Sequence, residues 1–211
     1  MSTLMSLKRS VVKQGLQYMM LYEYLQRQFV RANFVDVQFF KTPIGTKVII
    51  YAGIPGIVIG KRGANIKRVS EVLEKEFGID NPQIDVIEVP NQDLNAKIMS
   101  YRIARALVRG IKFRRAARIA LRRIMSAGAR GAEIVISGKL TSQRHRTERF
   151  TDGFLPKAGE PRKKLVDEAV THVLMKLGMY GVKVRIMKQA KMPDLIEVKA
   201  PEVVEGGAAE A

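Results

Sequence analysis

The sequence predicts an α+β fold built as two successive units, and three observations carry that prediction. Helical and strand-like apolar periods alternate over the first ninety residues. A break at residues 90–93, Pro-Asn-Gln-Asp, interrupts the pattern. Beyond it, two adjacent helical segments come before a group of strand patterns, so helices and strands are segregated along the chain.

Residues 7–32 contain no proline and one glycine, with Val12, Leu16, Met19, Met20 and Tyr24 near helical spacing. They read as a helix ending near Asn33, its methionines and aromatics as core packing. FVDVQFFKT and TKVIIYA flank Pro43-Ile44-Gly45 and read as a β-hairpin. A short apolar segment leads to Gly60-Lys61-Arg62-Gly63. Ile66, Val69, Leu73 and Phe77 then mark the inner face of an amphipathic helix stopped by Gly78. Residues 83–89 alternate as a strand. In the second unit, residues 95–109 and 112–127 read as helices, the latter with Phe113, Ala117, Ala120 and Ile124 on one face. AEIVISGKL and GVKVRIM read as strands. Asp152-Gly153 suggests a hairpin turn inside the basic stretch 141–164. Residues 165–178 fit helix and strand equally well. Units at 1–92 and 93–190 and a mobile acidic tail at 191–211 complete the expected organisation.

The charge narrows the partner class. The net charge is +17, yet residues 194–211 hold five acids against Lys199 alone, so the body is more basic still. Nucleic acid is the leading partner of such a surface. The chain has no cysteine, which excludes disulfides, thiol catalysis and Cys-based zinc sites. The longest uncharged run, Val48 to Gly60, is 13 residues and is broken by Gly and Pro. A bilayer span needs about 20. Neither a membrane segment nor a secretory signal is read, so a cytosolic setting is expected. Isolated His145 and His172 make no metal set, and no cofactor is expected.

Gly60-Lys61-Arg62-Gly63 could belong to a nucleotide site, a nucleic-acid clamp or an ordinary helix corner. A phosphate loop of the Walker type needs glycine where Pro55 stands and Ser or Thr where Arg62 stands. A dinucleotide GxGxxG does not occur. Two further GxxG matches, at Gly53 and at Gly128, join a strand to a helix and a helix to a strand respectively. Only Gly60 to Gly63 joins two helices ahead of a strand, the setting of a KH-type loop. There the glycines let a strand's sugar-phosphate backbone approach closely. Lys61, Arg62, Lys67 and Arg68 supply countercharge.

A second constellation is larger. The 39 residues between Asp93 and Glu133 hold eleven basic residues and no acid. Arg102, Arg105 and Arg109 share one helix face. Arg114, Arg118 and Arg122 form a second stripe, with Arg115 beside it and Lys112 and Arg123 nearby. Like charges at these spacings destabilise a helix by a few tenths of a kcal/mol per pair. Phosphates would compensate them, and guanidinium suits bidentate phosphate contact. Arg144, Arg146 and Arg149 extend the basic set. Such contacts position a nucleic acid without reading its sequence.

TPIGTKVIIYAGIPGIVIGKRGANIKRV, FRRAARIALRRIMSAGARGAEIVISGKL and GVKVRIM, in this order over about residues 7–188, closely resemble the universal S-three family of small-subunit ribosomal proteins in its archaeal and eukaryotic form. The resemblance implies a type II KH domain, then an α/β domain with two helices on a four-stranded antiparallel sheet, and makes 165–177 a strand. It implies a non-enzymatic place on the head of the small subunit, bound to ribosomal RNA beside small-subunit proteins ten and fourteen, without homo-oligomers. In the family the basic residues of FRRAxxR, here Arg114, Arg115 and Arg118, line the channel where messenger RNA enters and help unwind it. Some eukaryotic relatives are reported to act on damaged DNA. That chemistry needs a lysine of lowered pKa, and the sequence marks none.

Overall fold

The computed structural model describes residues 2–42, 45–79 and 81–190, with side chains of 2–7 and 10 excluded. The expected acidic tail, and Pro43 and Ile44 of the expected hairpin turn, lie outside the described residues.

The first unit is α1 (Ser2–Gln28), β1 (Phe34–Thr42), β2 (Gly45–Ala52), α2 (Pro55–Ile59), α3 (Ala64–Lys75) and β3 (Pro82–Glu88). β1 and β2 pair antiparallel, while β3 runs parallel to β2 with Val48 opposite Ile84. This parallel pairing is possible because α2 and α3 form the crossover that brings the chain back along β2. The core gathers Phe34, Val37, Val48 and Ile50 from the sheet, Val58, Val69 and Leu73 from α2 and α3, and Leu21, Leu25 and Phe29 around the end of α1.

The reading of α1 needs correction. Met19 and Met20 are 54 % and 61 % exposed, and Val12 and Leu16 are exposed too. Contact with the sheet begins at Tyr18, whose ring meets Phe39 edge-on and whose hydroxyl donates to the Val37 carbonyl at 3.2 Å, and burial begins at Leu21. A periodic sequence shows that a helix has an apolar stripe; which stretch of it meets a partner depends on where the sheet ends.

The second unit is α4 (Ala96–Val108), α5 (Phe113–Ser126), β4 (Gly131–Gly138), β5 (Arg146–Gly153), α6 (Gly159–Leu165), β6 (Val166–Met175) and β7 (Gly178–Met187). The strands form an antiparallel sheet in the order β5-β4-β7-β6. Its inner face presents Ala132, Ile134, Ile136, Val182, Val184 and Ile186 to Met99, Ile103 and Leu107 of α4 and to Ala117, Ala120 and Ile124 of α5. Burying such side chains stabilises by about 1.5–3 kcal/mol each, before the entropy of ordering them is subtracted. The architecture is the expected one, with two helices on four antiparallel strands.

Two local expectations change. Of residues 165–178, left open by pattern alone, 166–175 form β6, preceded by the unforeseen helix α6 that ends at Leu165 and followed by a turn into β7. Asp152-Gly153 is no hairpin turn: both residues end β5, paired with Ala132 and Gly131. Gly153 has φ +70°, and a Cβ there would come within 2.4 Å of the Arg130 carbonyl. The glycine allows strand contact rather than chain reversal.

Candidate nucleic-acid interface

The GKRG corner is a strained and well-defined turn. α2 ends at Gly60, whose φ of 72° and ψ of 177° are accessible to glycine alone among ordinary residues. A Cβ at Gly60 would sit 2.7 Å from the Asn65 amide nitrogen, which donates to the Ile57 carbonyl at 2.9 Å. The two glycines therefore differ. Gly63 also has positive φ, 74°, but nothing lies within 4 Å of a Cβ there. Between them Arg62 adopts φ 51°, a left-handed conformation in a residue with a full side chain. Lys61 and Arg62 at the tip, and Lys67 and Arg68 on the first turns of α3, are all exposed. None of the four is ion-paired within the described residues, so their charge faces outward.

The first arginine stripe is not a free surface. Arg102 is ion-paired with Asp93 and donates to Gln92 Oε1 at 2.7 Å. Arg105 donates to Asn33 Oδ1 at 2.6 Å. Both guanidinium groups, expected to meet nucleic acid, are engaged by groups of the protein itself, because α4 lies between the sheet of its own unit and the first unit. Arg109, past the last turn of α4, and Lys112 remain exposed.

The second stripe stands free. The inner face of α5 is fixed by Ala116, Ala117, Ala120 and Ile124, all buried. Arg115, Arg118, Arg122 and Arg123 are exposed and pair with no carboxylate among the described residues. Arg114 leans toward Glu148 of β5 at 3.5 Å, and the same oxygen is 2.9 Å from Arg146. That oxygen lies off every hydrogen-bond axis, so the attraction is charge to charge. One acid thus ties two arginines together and leaves the cluster positive. Arg144, in the loop before β5, is exposed.

Arg149 belongs elsewhere. In a strand, neighbours three apart point to opposite faces. Arg146 stands on the α5 side, whereas Arg149, opposite Val135, points to the far face and meets Glu133 at 3.0 Å. Glu133 is 0 % exposed and is also approached by Lys157 at 3.7 Å and Arg185 at 3.0 Å. Arg185 continues to Glu168 at 2.9 Å, where Lys183 and Arg162 converge. The hydrogen bond from Lys183, with help from Arg185 and against partial burial, holds the Glu168 carboxyl below its usual range. This network gathers five bases on two carboxylates and stays positive; Arg149, expected to meet nucleic acid, is drawn toward Glu133 while its side chain remains 60 % exposed.

Lys97 was missed by sequence reading. Its Nζ donates to the Val35 carbonyl at 2.9 Å and to the Tyr22 hydroxyl, and lies 4.4 Å and 4.9 Å from the Tyr22 and Phe34 ring centroids. Burial brings its pKa down to about 8, partly opposed by Asp36. It is the lysine of lowered pKa that lyase chemistry would want, but its amine is taken up between two rings and a carbonyl. One lysine among eleven bases in an acid-free stretch carries no local signal of such a setting.

Comparison with known proteins agrees with this geometry. A family model described as "KH domain" matches residues 20–94, and one described as "Ribosomal protein S3, C-terminal domain" matches residues 103–186. The small ribosomal subunit protein uS3 of Thermofilum pendens is 78 % identical over 191 residues, covering 90 % of this chain and 95 % of that one. Those of Sulfurisphaera tokodaii and Methanocaldococcus jannaschii are 48 % and 44 % identical over 192 and 194 residues, covering 91 % and 92 % of this chain and 85 % and 93 % of theirs. With a KH unit, a helix-backed four-stranded sheet and this identity along nearly the whole length, the chain belongs to the small ribosomal subunit protein uS3 family.

Proposed function

We propose that the chain is a structural, non-enzymatic component of the small ribosomal subunit in the cytoplasm. In this reading it binds ribosomal RNA through the GKRG corner, and Arg114, Arg115 and Arg118 grip messenger RNA as it enters. The chain is organised for this as an RNA-binding KH unit over 1–92, an α/β unit over 93–190 and an acidic tail over 191–211. Small-subunit proteins ten and fourteen are its neighbours by family resemblance.

The observation that carries the reading is the outer face of α5. Its arginines are exposed and short of acid partners, while Arg149 and Arg185 on the far side of the same sheet are matched to carboxylates. Uncompensated charge on a helix costs stability, and a phosphate backbone removes that cost. Successive members of the stripe rise by about 6 Å on a helix anchored by its apolar back. A row held that firmly can retain a single strand's phosphates while the ribosome moves, which disfavours re-pairing of the message. Translocation supplies the work, so no nucleotide site is required.

Changing Arg114, Arg115 and Arg118 together to Ala should slow elongation through hairpin-bearing messages and leave unstructured messages unaffected. Equal rates for wild type and variant on both kinds of message would count against the grip.

A further inference from the structure

Arg102 and Arg105, together with Lys97 and Gln92, converge on one small region of the first unit. Arg105 donates to the Asn33 side chain, and Gln92 Nε2 donates to the Gly53 carbonyl at 2.7 Å. Arg102 supports Gln92 from behind at 2.7 Å. Lys97 reaches Val35, two residues beyond Asn33. The target is unusual in itself. Asn33 is 2 % exposed with φ 56°, and its carbonyl accepts from Gly53 at 3.1 Å while the neighbouring Ala32 carbonyl accepts from Ile54 at 3.0 Å. Space is tight: a Cβ at Gly53 would meet Asn33 Cβ at 3.2 Å and Ile98 of α4 at 3.3 Å.

This node is the root of the GKRG corner. Gly53 and Ile54 lead directly into α2, and α2 ends on Gly60. On the other side α4 runs through Gly110 into α5, against which it packs. The loop of the first unit and the arginine face of the second therefore spring from opposite sides of one polar clamp.

We propose that Gln92, Lys97 and Arg105 are positioning residues that lock the base of α2 to α4, so that the GKRG loop and the arginine face of α5 meet one RNA as a single rigid footprint. The RNA part of this inference rests on the function proposed above. Two surfaces held at a fixed separation act at a high effective concentration for each other, which raises the affinity for a strand long enough to touch both. A loose joint forfeits that gain without changing either surface. The side chains that a sequence stripe assigns to RNA then serve RNA indirectly, by fixing where its contacts are.

The test uses the full chain in two measurements. The absence of cysteine allows clean labelling at Glu71→Cys on α3 and Ser126→Cys at the end of α5, both exposed and outside the proposed contacts. Spin-label distances should give one narrow distribution in the wild type and a broad one in the Gln92→Ala/Arg105→Ala variant, with Arg105→Lys alone staying narrow. An equally narrow distribution in the double variant, with both units still folded by circular dichroism, overturns the clamp whatever the RNA result. For RNA, the double variant should bind a long single strand about tenfold more weakly than wild type and a five-nucleotide strand equally well. Parallel losses for both lengths would overturn positioning and make Arg105 a direct contact. Broadened distances with unchanged long-strand affinity would overturn the shared footprint and, with it, the RNA reading of one of the two surfaces.

Discussion

Gly60→Ala should damage this protein far more than Gly63→Ala, although both change one glycine of the same corner. At Gly60 the backbone occupies φ 72°, ψ 177°, a region that costs a residue with a side chain about 1–3 kcal/mol. The new methyl would also lie 2.7 Å from Asn65 Nδ2, displacing the amide that bonds the Ile57 carbonyl. Losing that partly exposed bond adds roughly 0.5–1.5 kcal/mol. The sum is about 2–4 kcal/mol. Gly63, at φ 74° and ψ 14°, has the simple left-handed conformation with open space around it, so alanine costs about 1–2 kcal/mol. For a chain of this length 1 kcal/mol moves Tm by roughly 2–4 °C. Melting followed by circular dichroism should therefore show Gly60→Ala lowered by roughly 5–15 °C and Gly63→Ala by less than about half of that. Adding Asn65→Ala to Gly60→Ala should recover only the steric share. A Gly63→Ala loss equal to or larger than that of Gly60→Ala would refute the account, because the difference rests entirely on the Asn65 contact and the ψ of Gly60.

Three further outcomes follow from the charges. Replacing Arg115, Arg118 and Arg122 with Ala should reduce the slope of log affinity against log salt for single-stranded RNA by about 2, if each neutralises one phosphate; an unchanged slope in a filter-binding titration contradicts that. Lys97 has a folded pKa of about 8 against 10.5 unfolded, so the unfolded chain binds more protons between those values. Stability should rise with pH across that window, and Lys97→Met should flatten the rise in chemical denaturation at pH 7.5, 9 and 10. Glu168 has the opposite sign, with its folded pKa depressed by Lys183 and then Arg185. Its contribution is present above the unfolded carboxylate range and is lost as pH falls through the folded value, so Glu168→Gln should lessen the acid sensitivity of melting measured between pH 6 and 3.

The sequence by itself determined the architecture and the chemistry class. Apolar period, turn residues and the break at 90–93 specified every helix but α6 and most strands because those signals are local: they lie within one or two turns of the residue concerned. The helix-loop-helix setting of Gly60 to Gly63 and the acid-free run before Glu133 were legible for the same reason. What only the tertiary structure decided was which charges are free. Arg105 and Arg118 look alike in a helical stripe, yet the first meets Asn33, 72 positions away, and the second meets solvent. Arg146 and Arg149 are three apart in the chain and fall on opposite faces of the sheet, one beside Arg114 and the other on buried Glu133. Lys97 gave no sign of the burial between Tyr22 and Phe34 that lowers its pKa, and the exposed half of α1 gave no sign that the sheet stops short of it. Periodicity fixes the direction of a side chain relative to its own element. The group it meets comes from a distant part of the chain, and that long-range neighbour decides whether an arginine balances the fold or remains free to hold RNA.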